Sequence, residues 1–475
     1  MSKEAFRDGW ELIVGLEVHA ELATQTKLFC GCLNEFGSEP NANVCPVCLG
    51  LPGSLPVINE RAVYFAMQLG KAVNCSVNRS VFSRKNYFYP DMPKDYQISQ
   101  YDLPTNSDGY LDLPEGKRIG IERAHIEEDT GKTTHKGESG RISGADYSLV
   151  DYNRAGVPLI EIVSHPDIRT VDEARSYVSE LRRILVALEV SDAKMEEGSI
   201  RVDANVSVRP MGETELRTRC EIKNVNSLRS LGRAIEYEAN RHINLYDNNE
   251  APSQETRHWD EIAGRTRPGR SKEDAEDYRY FPEPDLVPLN PNDEELEHIK
   301  QNLPMFPAQR RERLVEVLGP NTNDITILVE REDDTFALEA IQLGGRKEAV
   351  VKYLINNLSG GTGSLSPRSL AELTQIEADG DVTSTQAKKI LAELVQGGGT
   401  PDEIVTRLGF KTVDTSELEE MIDDLIKEHP NEWERYSSGE KKVQGFFVGQ
   451  VMKATSGQAD GKAINQILSK RVKSK

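Results

Sequence analysis

Side chains able to bind metal ions and phosphates alternate with apolar ones in short segments of the first 290 residues. In the first segment, residues 10–22, Glu17 and His19 lie two positions apart. Residues at this spacing project from the same face of a β-strand. Carboxylate oxygens are preferred ligands of Mg²⁺, which in proteins often carries nucleotide phosphates. The pattern predicts either a ligand-binding face or an ordinary solvated one.

Four further segments repeat this arrangement. Residues 118–129 end in consecutive carboxylates, which repel one another unless cations neutralise them. Residues 158–163 hold a single carboxylate in an apolar run, which is costly to bury unless it is paired or binds a metal. Residues 201–209 and 216–223 predict a hairpin. The polar positions of these segments include Glu127, Glu128, Glu161, Asp203, Asn205, Glu221 and Lys223. Such an oxygen-rich set suits Mg²⁺ and nucleotide phosphates better than zinc.

Four of the six cysteines form two close pairs. Cys30 and Cys32 are separated by twelve residues from Cys45 and Cys48. This spacing predicts a closed tetrahedral Zn²⁺ site, which would hold a loop and perform no chemistry. A redox role for the Cys45-x-x-Cys48 pair would need a βαβ context that this Gly/Pro-rich stretch lacks. The other two cysteines are predicted to be core residues.

The elements that must position these groups can be read from periodicity. Helices are predicted over residues 171–189, where Thr170 and Glu173 form a capping box, and over 227–246. Mostly antiparallel strands with two covering helices predict an α+β domain. Composition becomes helix-like after residue 292. The predicted domains are residues 1–292, a helical domain at 293–405 and a small all-α tail at 406–475.

The charge distribution excludes some functions and favours others. The 475 residues carry a net charge of −20, which argues against a protein that coats nucleic acid non-specifically. Residues 436–475 nevertheless carry a net charge of +6, whereas the 35 residues before them carry −7. This switch predicts a local surface for a polyanion, with a solvated basic tail as the alternative. No apolar run is long enough for a membrane span and no signal segment is evident, so a cytoplasmic location is expected.

Several long segments, in order along the chain, closely resemble the B subunit of the bacterial-type tRNA-dependent amidotransferase. They read WELIVGLEVHAEL, RKNYFYPDMPKDYQISQYD, HIEEDTGKTTH, GVPLIEIVSHPDIR, KMEEGSIRVDANVS and DYRYFPEPDLVPL. The C-terminal FFVGQVMKATSGQAD is similar to the tail domain of that family. The resemblance extends from about residue 10 to the C-terminus.

The resemblance implies a fold and an activity. The N-terminal cradle domain of the family is similar to the catalytic domain of glutamine synthetase. The implied enzyme is a C–N ligase that uses ATP and Mg²⁺ to phosphorylate the side-chain carboxylate of Glu-tRNA(Gln) or Asp-tRNA(Asn). Ammonia, released from glutamine by an A subunit, then displaces phosphate. A small C subunit completes a heterotrimer, and the helical and tail domains recognise tRNA.

The resemblance also implies roles for residues. The Mg²⁺ ligands would be Glu17, His19, Glu127, Glu128, Glu161 and Glu221. Catalytic roles would fall to Glu17, His19, Glu127, Glu128 and Lys132, and roles at the nucleotide to Lys85, Lys94, Asp203, Asn205 and Lys223. The basic C-terminal residues found from the charge switch would then be the tRNA-binding set, namely Lys441, Lys442, Lys453, Lys462, Lys470 and Arg471. The zinc loop occurs in only some members of the family, so it cannot be essential to the reaction.

Two other functions stay open at this point. A free-standing enzyme resembling glutamine synthetase would amidate a small substrate, although the long helical half with its basic tail disfavours that reading. A non-catalytic tRNA-binding scaffold would retain amidation when its acidic residues are changed. The sequence offers no glutaminase nucleophile, because every cysteine has a zinc or packing explanation and no amidase signature is present. Ammonia is therefore expected to come from a partner.

Overall fold

The structure is a computed structural model. It describes residues 6–7, 9–137, 144–269, 278–410, 415–455, 459 and 461–473. The chain divides into two compact units, residues 1–309 and 310–475. The first combines strands and helices and the second is helical, which confirms the α+β prediction with a helical C-terminal part.

A mixed, mostly antiparallel sheet of nine strands dominates the described part of the first unit. The described strands are β1 (Trp10–Glu21), β2 (Ser76–Val77), β3 (Ser83–Asn86), β4 (Tyr96–Ser99), β5 (Asn106–Asp112), β6 (Arg118–Glu128), β7 (Lys132–Lys136), β8 (Tyr147–Asp151), β9 (Pro158–Ser164), β10 (Ile200–Pro210), β11 (Cys220–Val225), β12 (Thr256–Asp260), β13 (Arg265–Pro268) and β14 (Phe281–Pro282). The strand order of the nine-stranded sheet is β13-β12-β11-β10-β1-β9-β6-β5-β2, and smaller sheets have the orders β14-β3-β4 and β7-β8.

The strands predicted from period-two patterns are confirmed. Strands β1, β6, β9, β10 and β11 coincide with the five predicted segments, although β11 begins only at Cys220. Strands β10 and β11 pair antiparallel, as expected for the predicted hairpin. Residues of the apolar face, such as Leu16, Val18 and Ala204, are fully buried. The opposite face of these central strands carries the polar residues of the site.

Three helices pack on the apolar face of this sheet. They are α1 (Glu60–Ala72), α2 (Val171–Ala187) and α3 (Leu228–Asp247). The last two are the predicted helices. The Thr170 side chain accepts a hydrogen bond from the Glu173 amide. The Glu173 carboxylate accepts from the amide of Arg169 rather than that of Thr170, so only half of the predicted capping box forms.

The remaining helices follow the sheet in sequence. They are α4 (Asp293–Gln301), α5 (Pro307–Leu318), α6 (Thr322–Glu330), α7 (Asp334–Gln342), α8 (Lys347–Asn357), α9 (Pro367–Asp379), α10 (Ser384–Gly397), α11 (Pro401–Leu408), α12 (Thr415–Glu428), α13 (Pro430–Ser437), α14 (Gln444–Ala454) and α15 (Gly461–Lys473). The described residues of the second unit form two separate apolar cores, one from α5–α11 and one from α12–α15. None of the described helices combines the length and the hydrophobicity that a membrane span requires.

Candidate functional site

A row of polar side chains crosses four adjacent strands in the centre of the nine-stranded sheet. On β6, β9, β1 and β10, His125 lies opposite Glu161, Glu161 opposite His19, and His19 opposite Arg201. Directly opposite residues in a sheet project from the same face. The register thus brings together side chains separated by up to 182 positions in the sequence.

His19, Glu127 and Glu161 form what we call the histidine cluster. His19 Nε2 lies 3.7 Å from Glu127 Oε1 and 3.6 Å from Glu161 Oε2. His125 Nε2 lies 3.3 Å from the same Glu161 oxygen. One ligand atom from each of the three cluster residues falls within 4.8 Å of the other two, as the ligands of one metal ion would.

The largely buried carboxylates of the histidine cluster favour a proton or a cation beside them. Burial lowers the pKa of His19, but the close Glu161 carboxylate and the charge of Glu127 outweigh burial and raise it to about 9. Burial and the neighbouring Glu161 raise the pKa of Glu127. The pKa of His125 falls to about 4, chiefly because the ring is buried. Two carboxylates with so little solvent are stabilised by a proton or a cation between them.

A second acidic group, the carboxylate cluster, consists of Glu17, Asp203 and Glu221. Their oxygens also lie within 4.8 Å of one another. Lys223 Nζ lies 2.6 Å from Asp203 and 3.0 Å from Glu221. Asn205 donates a 2.8 Å hydrogen bond to Glu17. Burial, followed by the charges of Glu161 and Glu221, raises the pKa of Glu17.

A cavity of about 530 Å³ opens beside the two clusters. It is lined by His19 and Glu127 of the histidine cluster, by Asp203 of the carboxylate cluster and by the cations Lys85, Arg201 and Lys223. Lys85 Nζ also lies 4.6 Å from the centre of the Tyr278 ring. Carboxylates that can hold a metal and cations that can contact phosphate thus face one cavity.

The structure does not bring every predicted residue to this cavity. Glu128 follows Glu127 on β6, and consecutive strand residues project to opposite faces. Its buried carboxylate forms an ion pair with Lys94 and accepts a 2.8 Å hydrogen bond from the Ile98 amide. Lys132 is exposed on β7 and does not line the cavity.

The sequence analysis left several residues of this face unassigned. His125 lies two positions before Glu127, a spacing that could have signalled its role. Arg201 donates a 2.7 Å hydrogen bond to Asp129, and both line the cavity, but only the cross-strand register reveals this. The pKa of Glu21 is raised to about 7 by burial and by Asp129, and no sequence signal indicated that.

The four paired cysteines converge on one point. Cys48 Sγ lies 3.5 Å from Cys30 Sγ, 3.7 Å from Cys45 Sγ and 3.8 Å from Cys32 Sγ. Four sulfurs at about 2.3 Å from a tetrahedral Zn²⁺ would be about 3.8 Å apart. This group, which we call the four-cysteine site, could therefore bind a metal ion. Cys75 and Cys220 are buried core residues, as predicted.

The basic residues of the predicted tRNA-binding set differ in their surroundings. Arg471 Nε lies 2.8 Å from Asp423, and its Nη2 lies 3.2 Å from Glu419, both on α12. Lys470 is 3.8 Å from Glu419. Lys442 and Lys453 are exposed. The side chains of Lys441 and Lys462 lie outside the described part of the chain.

Comparisons with known proteins agree over the whole chain. Residues 12–297 match the family described as the GatB/GatE catalytic domain, and residues 347–472 match the GatB domain. A protein of Thermoanaerobacter sp. is 47% identical over 98% of this chain and 99% of its own length. One of Acaryochloris marina is 44% identical over 100% of both chains. Both are named as the B subunit of an aspartyl/glutamyl-tRNA(Asn/Gln) amidotransferase.

Proposed function

The chain belongs to the family of tRNA-dependent amidotransferase B subunits, and from this premise we propose that it amidates misacylated tRNA in an ATP-dependent reaction. The substrates are Glu-tRNA(Gln), Asp-tRNA(Asn) or both, and the reaction class is a C–N ligase with glutamine as amide donor. The observation that carries the proposal is a cavity lined by His19 and Glu127 of the histidine cluster, by Asp203 of the carboxylate cluster and by the cations Lys85, Arg201 and Lys223.

The chemistry of the reaction explains why such a face is needed. A carboxylate is a poor electrophile until one of its oxygens becomes a phosphate leaving group. Transfer of the γ-phosphoryl group of ATP to that carboxylate develops negative charge that must be compensated. When bound, Mg²⁺ would supply this compensation of negative charge. The antiparallel sheet with acidic residues on one face is compatible with a domain like the catalytic domain of glutamine synthetase.

The proposed roles follow from the positions of the side chains. His19, Glu127 and Glu161 hold the metal ion together with the nearby Glu17 and Glu221. Lys85, Arg201 and Lys223 contact the phosphates from the walls of the cavity, and Asp203 and Asn205 orient Lys223 and Glu17. Glu128 and Lys94 support the end of β6 from the opposite face. Lys132 is exposed and has no role in this scheme.

The partners and the second metal belong to the same proposal. Since the sequence contains no candidate glutaminase nucleophile, an amidase A subunit supplies ammonia and a small C subunit completes the heterotrimer. The helical unit and its basic residues bind tRNA, and the complex acts in the cytoplasm. A structural Zn²⁺ occupies the four-cysteine site.

The test is conversion of Glu-tRNA(Gln) and Asp-tRNA(Asn) by the assembled complex, with ATP and either glutamine or ammonium chloride. Glu127→Gln is expected to lower amidation about a hundredfold or more with both nitrogen donors while tRNA binding is retained. Glu115→Gln, at an exposed glutamate before β6, serves as the matched control and should be unaffected. Intact amidation by Glu127→Gln would instead favour a scaffold. ATP turnover that is undiminished without tRNA would favour a small-substrate enzyme.

A further inference from the structure

Lys27 is a fully buried lysine at the edge of the four-cysteine site. Its side chain has no exposed surface. The ammonium donates to the carbonyl oxygens of Asn43 at 2.8 Å and Tyr152 at 3.2 Å, and to Cys48 Sγ at 3.5 Å. These three acceptors account for the three N–H bonds of the ammonium. The position of Lys27 is therefore fixed by the cysteine loop and by the segment that follows β8.

A buried ammonium normally has a carboxylate partner, and Lys27 has none among the described residues. In the part of the chain that the structure describes, Lys27 forms no ion pair with a carboxylate, and two of its acceptors are neutral carbonyls. Burying an unpaired charge is costly, so buried lysines are usually paired. Among the hydrogen-bond acceptors of Lys27 in the described residues, only the third, the Cys48 sulfur, can carry negative charge.

The charge of a metal-loaded four-cysteine site supplies the missing partner. Four thiolates around one Zn²⁺ leave a net charge of −2, and a ligating thiolate is deprotonated outright. A hydrogen bond from an ammonium to a thiolate is charge-assisted and withdraws electron density from the sulfur. Groups that contact metal ligands in this way commonly change metal affinity by about 10- to 100-fold.

We propose that Lys27 is a built-in counterion of the four-cysteine site, whose positive charge at Cys48 makes metal retention depend on this residue. The inference rests on the proposed function only in taking the bound metal to be zinc. Because the same ammonium binds the Tyr152 carbonyl, the counterion also ties the metal loop to the segment after β8.

The test uses the full chain and two readouts that do not require activity. Lys27→Met and Lys27→Gln remove the charge, and Lys27→Arg keeps it. Lys117→Met removes a lysine whose ammonium pairs with Glu173 at 2.6 Å, and it is the matched control. We expect zinc to pass to a chromogenic chelator about tenfold faster from both uncharged variants. We also expect their cobalt-substituted forms to show the sulfur-to-cobalt charge-transfer band at lower energy. Lys27→Arg should lie between these variants and the wild type, and Lys117→Met should match the wild type.

Each outcome bears on the inference. If either uncharged variant releases zinc at the wild-type rate with an unchanged charge-transfer band, Lys27 is not a counterion. If neither uncharged variant folds but Lys27→Arg folds and is zinc-loaded, the need for a charge is supported; failure of all three overturns it. A wild-type chain that binds no zinc also overturns it. Amidation by the complex is measured separately, so the test of Lys27 and the test of the proposed reaction can fail independently of each other.

Discussion

Two neighbouring glutamates on β6 face opposite environments. Glu127 faces the cavity with His19, whereas the Glu128 carboxylate is buried behind the sheet against Lys94. Removing one partner of a buried ion pair leaves an uncompensated charge. Glu127 is thus expected to bind the metal ion, whereas Glu128 is expected to stabilise the fold.

Lys94→Met is predicted to lower the free energy of unfolding by about 3 kcal/mol, because it leaves the Glu128 carboxylate buried without its cation. Urea unfolding followed by circular dichroism measures this change. Mg²⁺ binding by the folded variant, measured by titration calorimetry, should stay within about twofold of wild type. Unchanged stability combined with lost nucleotide binding would instead indicate that Lys94 acts at the nucleotide, as the sequence analysis predicted.

Glu238 makes stability depend on acid pH. Burial opposes ionisation, but His242 Nε2 at 3.2 Å, the hydrogen bonds and charge of Arg241 and a hydrogen bond from Thr266 lower the pKa of the Glu238 carboxyl to about 2. A carboxylate with a lowered folded-state pKa stabilises fully above its ordinary pKa of 4.5 and loses that contribution as pH falls towards 2.

We predict that Glu238→Gln destabilises the protein less at pH 3 than at pH 6, by about 2 kcal/mol. The reason is that pH 3 lies below the ordinary carboxyl pKa, so the stabilising contribution of the ionised Glu238 carboxylate is already partly lost in the wild type. Urea unfolding at both pH values measures the difference. Glu213→Gln, at an exposed glutamate paired with Arg217, is the control and should show little pH dependence. A difference that is the same at both pH values would contradict the lowered pKa.

At the scale of elements, one asparagine joins α1 to the sheet. Buried Asn106 on β5 donates to the Ala66 carbonyl of α1 and to the Ala124 carbonyl of β6, each at 3.0 Å. A Cβ added to Gly70 would lie 1.9 Å from Asn106 Oδ1. Gly70 is therefore required by the close approach of helix and strand.

Gly70→Ala is predicted to destabilise this contact by about 2 kcal/mol through overpacking. Hydrogen exchange of α1 amides should accelerate roughly thirtyfold, the rate equivalent of that energy. Gly449→Ala in α14 is the control, because a Cβ there meets no atom within 4 Å in the described residues. Exchange in α14 should stay the same or slow. Unchanged protection of α1 in Gly70→Ala would contradict the close approach.

The sequence predicted the elements of the site better than their arrangement. Period-two alternation located β1 and β6 because one face of each strand is apolar, whereas β9 was predicted from an apolar run that holds a single carboxylate. The row that joins His125 to Arg201 depends on strand order and register, which alternation does not encode. The alternation itself separates Glu127 from Glu128, whereas family resemblance assigned both to the metal. The pairing of Lys94 with Glu128 is a tertiary contact that local sequence does not reveal.

At the scale of the whole molecule, a net charge of −20 must coexist with the proposed binding of tRNA, a polyanion. Part of the basic C-terminus is already neutralised, since Arg471 is held by Asp423 and Glu419. Deleting the basic C-terminal segment would also remove Phe447 and Leu468, which belong to the apolar core of that region. The deletion would therefore disturb folding and could not isolate the effect of the remaining cations. Charge reversal at exposed lysines is the cleaner experiment.

The double variant Lys442→Glu with Lys453→Glu is predicted to weaken tRNA binding and to reduce its dependence on salt. Each lysine that contacts a phosphate contributes about 0.9 to the slope of log K against log salt, so the slope should fall by up to about two. Filter binding of tRNA between low and moderate salt measures both quantities. Lys427→Glu is the control, since that lysine is exposed on acidic α12 and pairs with Asp424 at 2.8 Å. An unchanged slope in the double variant, or an equal fall in the control, would show that tRNA does not bind at residues 442–453.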